Sequence, residues 1–90
     1  MMYSVLVSGT FQRQFRALPA IAKRRVRAAP KHLEDDPLVG RPKVDIKALR
    51  DTSPPKHRLR VGDYRIIYRV DGKVVRVIEV FSRGRGYREG

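Results

Sequence analysis

Two turn dipeptides, Gly62-Asp63 and Asp71-Gly72, separate three stretches rich in β-branched and aromatic residues, and this spacing constrains the chain more than any other feature. His57-Arg58-Leu59-Arg60-Val61 alternates polar and apolar residues. Tyr64 to Val70 (YRIIYRV) and Val74 to Phe81 (VVRVIEVF) follow closely. An Asp-Gly step between such runs is the strongest short hairpin signal, so consecutive antiparallel strands are expected here. Side chains alternate across a strand, which sets Leu59 and Val61 against Arg58 and Arg60. By the same rule Tyr64, Ile66, Tyr68 and Val70 oppose Arg65, Ile67 and Arg69.

Something must cover the apolar faces, and the front of the chain supplies it. Met2 to Val7 (MYSVLV) reads as an opening strand. Ser8-Gly9-Thr10 breaks that run and offers a helix N-cap. Phe11, Phe15 and Leu18 stand at i, i+4 and i+7, one helical face, and Pro19 ends the helix. Ala22, Val26, Ala29 and Leu33 form a second stripe, backed by Lys23, Arg24, Arg25, Arg27 and Lys31. Pro30 interrupts it, because an internal proline removes a hydrogen bond and clashes with the preceding turn. A kink or early stop near Ala29 is expected. Glu34-Asp35-Asp36-Pro37 closes the region. Residues 37–56, punctuated by Gly40, Pro42, Pro54 and Pro55, read as the loosest part, with a short strand around Val44–Leu49. The order is β-α-α-β-β-β-β: an α+β fold, with an antiparallel C-terminal sheet and two N-terminal helices packed on one face.

Ninety residues with 41% hydrophobic content suit one domain spanning 1–90. The formal net charge is +12, and it is spread along the chain: residues 1–55 carry 11 basic and 5 acidic groups, residues 56–90 carry 10 and 4. Such a body attracts polyanions, with nucleic acid or the ribosome the first candidate and an acidic protein the second. There is no cysteine, which excludes disulfides, thiolate metal sites and a cysteine nucleophile. Two histidines make a multi-histidine metal centre improbable, and no metal or other cofactor is expected. No apolar run approaches a membrane span and no signal-type segment opens the chain, so a soluble cytoplasmic protein without a membrane role is expected. Glu34, Asp35 and Asp36 are adjacent rather than spaced as a catalytic carboxylate pair, and read as solvated or lysine-paired.

With the apolar faces against the helices, Arg58, Arg60, Arg65 and Arg69 gather on the open face. Like charges on neighbouring strands repel. Either an anion occupies the cluster, or these residues are the solvated side of a one-faced sheet, and alternation alone does not separate the two. His57 has the opposite parity to Arg58 and Arg60. Glu79 among arginines reads as their ion-pair partner. Arg83, Arg85 and Tyr87 add guanidiniums for phosphate and a ring for base stacking, or else form a frayed basic terminus.

The block HRLRVGDYRIIYRVDGKVVRVIEVFSRGRGY resembles the C-terminal half of toxins of the RelE/ParE superfamily, of the RelE type. It holds the basic-apolar-basic strand, Gly62-Asp63-Tyr64-Arg65 continuing through two apolar residues to Tyr68, a hydrophobic strand, and an arginine shortly before a tyrosine. The front half is similar too, with an opening strand, a helix ending in Leu18-Pro19 and a second helix running to Asp36-Pro37.

The resemblance implies a RelE-like fold of the microbial ribonuclease type and the toxin of a type II toxin–antitoxin pair. It implies an mRNA endoribonuclease acting in the ribosomal A site without metal, by 2′-OH attack on the adjacent phosphate. Arg65 takes the position of the transition-state arginine, and Arg58 and Arg60 that of basic residues on the preceding strand. Arg83 matches the C-terminal catalytic arginine and Tyr87 the residue against the substrate base. Arg85, Arg69 and Lys56 are expected RNA contacts. The implied partner is an acidic RelB-like antitoxin, with DNA contacted only through it.

Several RelE-like enzymes carry lysine where this chain has Arg58 or Arg60. Arginine scarcely gives up its proton, so orientation and charge are expected to dominate catalysis. Competing readings are a ParE-like gyrase inhibitor, a non-catalytic basic RNA- or ribosome-binding protein, and an inactive antitoxin-binding relative. Parity supplies a test. A regular two-residue turn at Asp71-Gly72 pairs Tyr68 with Val75 and sends Arg83 to the helix side. Arg83 joins Arg65 only through a longer turn or a bulge before residue 83, and that irregularity is expected.

Overall fold

The computed structural model describes residues 3–49 and 55–82. Strand β1 (Ser4–Val7) leads into helices α1 (Gly9–Arg16), α2 (Ala20–Arg27) and α3 (Ala29–Asp35), followed by β2 (Asp45–Leu49), β3 (Lys56–Val61), β4 (Tyr64–Asp71) and β5 (Val74–Ser82). The sheet order is β1-β5-β4-β3-β2. Strands β2 to β5 are antiparallel neighbours, as expected, and β1 adds to β5 in parallel, making the sheet mixed.

The helices follow their caps and prolines. Ser8 caps α1, its Oγ accepting from the Phe11 N–H at 2.9 Å. Pro19 precedes α2 in extended backbone. The second expected helix is two: α2 ends at Arg27 and α3 restarts at Ala29. Pro30 thus falls in the first turn of α3, where a missing N–H costs nothing. The break leaves the stripe intact, because Ala22, Val26, Ala29 and Leu33 are all buried. With Phe11 they cover one sheet face, packing over Leu59, Ile66, Tyr68, Val75, Val77 and Val80.

The segment after α3 is more ordered than its prolines and glycine suggest. The Asp36 carboxylate, still partly exposed, also holds the turn that follows: its Oδ1 accepts from the Leu38 and Val39 N–H groups at 2.9 and 3.3 Å. The Arg41 guanidinium donates to the backbone oxygens of His32, Asp36 and Val39 at 2.8 to 3.0 Å. Arg41 and Val44 then close a tight turn in which Lys43 holds φ 68. Tyr68, fully buried, donates its hydroxyl to the Pro37 oxygen at 2.6 Å and anchors the loop to the core.

Both β-turns place glycine at their first central position, at φ 59 for Gly62 and 58 for Gly72. Glycine bears that conformation without steric cost. The second turn is therefore Gly72-Lys73, one residue later than expected, and Asp71 pairs with Val74. This moves the register by two residues and leaves parity unchanged. What changes parity is an irregularity between Ile67 and Tyr68: Tyr68 pairs with Val77 but Ile67 with Glu79, leaving Ile78 as the extra residue. The expected bulge before residue 83 is present. Beyond Val7 no strand among the described residues lies beside the β5 edge, and α1 covers it. Ser8 Oγ donates to the Ile78 oxygen at 2.7 Å, and Gln14 Oε1 accepts from the Val80 N–H at 2.8 Å.

Candidate functional site

The sheet face away from the helices carries a cluster of cations. Across it run three register rows. The first is Asp45, Arg60, Arg65 and Phe81; the second is Lys47, Arg58, Ile67 and Glu79. The third holds Lys56 on β3, then Arg69, Arg76 and Leu6 on β4, β5 and β1. Arg58, Arg60, Arg65 and Arg69 therefore share one face, with Lys56 beside them, as the alternation predicts. Arg83, Arg85 and Tyr87 lie outside the described residues.

The arginines are held rather than splayed. Arg58 keeps only 13% of its side chain exposed and pairs with Asp45 at 3.1 Å. Asp71 Oδ2 lies 3.1 Å from Arg76 Nε and 3.5 Å from Arg69 Nη2. The Nε atoms of Arg58, Arg65 and Arg69 are buried without a hydrogen-bond partner among the described residues. A buried donor left unpaired costs about 1–3 kcal/mol, more when charged. Guanidiniums gathered on one face suit an anionic partner, since guanidinium meets phosphate with charge-assisted, often bidentate bonds. Ile67 is buried on this face, bordered on the same face by Arg58, Arg65 and Arg69.

Glu79 shares the face but forms no ion pair among the described residues; Asp45 and Asp71 take the role expected of it. His57 has the expected opposite parity. Its ring stacks on Tyr68 with centroids 5.5 Å apart, and burial lowers its pKa below the ordinary 6.5. Burial also lifts the Tyr68 phenol far above its usual range. The two residues pair in register on the helix side of the sheet. Sequence reasoning missed Arg76, Lys47, Asp45 and Asp71. For Arg76 the signal was available: it sits two residues before the bulge in a strand read only for its hydrophobicity. Among the described residues no helix is long and apolar enough to cross a membrane, and no three His, Asp or Glu gather as metal ligands do.

Three helices thus cover one face of a five-stranded sheet, and an arginine cluster lies on the other. A family model for the ParE toxin of the type II toxin–antitoxin system parDE matches residues 5–87, and the chain belongs to that family. Among solved structures it is similar to the archaeal RelE–RelB complex from Pyrococcus horikoshii OT3, at 32% identity over 96% of this chain and 100% of that one, TM-score 0.79. A RelBE-type toxin–antitoxin complex from Mycobacterium tuberculosis follows at 27% identity, 92% and 100% coverage, and TM-score 0.76. YafQ from E. coli shares the fold at 16% identity, TM-score 0.70, over 89% of this chain and 92% of its own. No curated protein matches by sequence. The chain is thus a RelE-type member of the RelE/ParE toxins.

Proposed function

We propose that this toxin is a single-domain mRNA endoribonuclease that cleaves mRNA in the ribosomal A site and so stops translation. The observation that carries the reading is the register that gathers Arg58, Arg60, Arg65 and Arg69 on one sheet face. The ribose 2′-oxygen attacks phosphorus and the P–O5′ bond breaks, leaving a 2′,3′-cyclic phosphate and a 5′-hydroxyl. The 2′-proton departs to solvent or a weak base, and the leaving oxygen takes one up. Negative charge accumulates on the phosphoryl oxygens, and preorganised cations stabilise it. Arg65 and Arg58 serve this role, with Arg60 beside them. In-line placement of the 2′-OH is the other large contribution. A flexible mRNA needs the ribosome to hold that pose.

Arg83 as a further phosphate ligand, Tyr87 against the base, and Arg85, Arg69 and Lys56 as RNA contacts complete the proposal. His57, turned to the core, takes no part. The partner is an acidic antitoxin that folds over this surface, as RelB accompanies RelE in the similar complexes. DNA contact belongs to that partner, and the site of action is the cytoplasm.

One observation favours a second reading. The matching family model is named for ParE, which makes gyrase inhibition the alternative. Mapping mRNA 5′ ends after induction, beside a gyrase supercoiling assay, separates the two. New ends within translated codons, lost when ribosome engagement is blocked, support the ribonuclease. Intact transcripts with inhibited supercoiling overturn it.

A further inference from the structure

Beside the arginine cluster, where β5 bulges, lies a groove of about 440 Å³. We infer that it is a second nucleotide subsite, holding a base and phosphate of single-stranded RNA next to the scissile step. The inference rests on the ribonuclease reading and deepens it.

One wall is cationic. Arg69 and Arg76 face each other in register. Asp71 bridges the two guanidiniums from the hairpin end, at 3.5 and 3.1 Å, and fixes their direction. The other wall is apolar. Leu6, 51% exposed, stands in register with Arg76, and Val7 and Ile78 continue the surface. An extra residue bends a strand and re-aims its side chains, which is how a flat sheet acquires a concave spot here. A nucleotide has the same two-sided character, with a flat apolar base and an anionic phosphate. Single-stranded RNA is held through exposed base faces and backbone charge together. The groove adjoins the Arg58–Arg65 rows, so one strand of RNA spans both.

The test uses short oligoribonucleotides carrying 2′-deoxyribose at the scissile position, which bind but are not cut. Chemical-shift titration of the intact toxin measures affinity as the oligonucleotide grows from two to four nucleotides. Wild type is expected to gain about tenfold on lengthening, equivalent to about 1.4 kcal/mol. Arg76→Gln and Leu6→Ser lose most of that gain while binding the dinucleotide as wild type does. No gain in wild type, or an equal gain in the variants, overturns the subsite. Variants that keep the gain but lose affinity for the antitoxin assign the groove to a protein partner and also overturn it. A gain that disappears in the variants, from a protein that cleaves no mRNA, retains the subsite while the ribonuclease reading falls.

Discussion

Arg65 on β4 faces Phe81 on β5, and Ile66 beside it faces Val80, in a register offset by the extra residue Ile78. Before the bulge Val75 and Val77 point to the core; after it Val80 does. One strand thereby lays an apolar stripe against the helices and still presents Glu79 and Phe81 beside the arginines. Ser8 holds the offset in place from the edge, because the same oxygen that caps α1 also donates to the Ile78 carbonyl.

Ser8→Ala removes both bonds at once. Loss of an N-cap alone costs about 1 kcal/mol, and an unpaired, partly buried carbonyl adds a comparable amount. Urea unfolding is expected to show a loss of about 2 kcal/mol. A loss no larger than an exposed cap would mean that the bulge needs no support from α1.

Arg65→Ala addresses the chemistry. Removing one preorganised donor from a developing oxyanion lowers the rate by about 10²–10³. Stability is expected to hold or rise, because a buried unpartnered Nε–H disappears from a crowded cationic face. Arg65→Lys recovers little, since an ammonium lacks the planar fork. Cleavage of ribosome-engaged mRNA, read beside thermal melting, checks all three outcomes. Full activity in Arg65→Ala would place the catalytic surface elsewhere.

The parts of this site differed in how readable they were. Strict alternation from His57 to Val70 was enough to put Arg58, Arg60, Arg65 and Arg69 on one face, because strand parity is a local property. The stripe from Ala22 to Leu33 was readable for the same reason, and Pro30 marked its break. The parallel seat of β1 beside β5 was not, since it depends on how three helices cross the sheet. Nor was the place of the bulge, which depends on Ser8 and Gln14, some 70 and 66 residues away from the groups they bind. Asp45 lies in the expected short strand and Asp71 in an expected turn, and neither place reveals that one fixes Arg58 and the other joins Arg69 to Arg76. Composition cannot show which carboxylate a guanidinium will find.

His57 gives a pH signature. Burial against Tyr68 lowers its pKa from 6.5, so the folded protein resists a proton that the unfolded chain accepts. Stability is full above about pH 6.5 and falls below it, where the unfolded state binds more protons, until the folded-state pKa is reached. His57→Gln is expected to flatten this part of the profile and to leave the pH dependence of cleavage unchanged. Denaturant midpoints between pH 5 and 8 for the two proteins make the comparison. A cleavage profile that follows His57 would give that ring a place in the reaction.

Asp45 holds Arg58 at 3.1 Å while more than half exposed itself. The pair sits at the rim of the site, where an ion pair contributes little to stability, so Asp45→Asn is expected to change unfolding by less than about 1 kcal/mol. Its effect on RNA has two opposed parts. One negative charge leaves a cationic surface, which is expected to strengthen association with RNA at low salt. Arg58 also loses the partner that aims it, which lowers the rate of the chemical step. Tighter binding of an uncleavable oligonucleotide, together with slower single-turnover cleavage, is the expected combination. If cleavage and affinity rise together, Asp45 only dilutes the positive field, and the position of Arg58 does not depend on it.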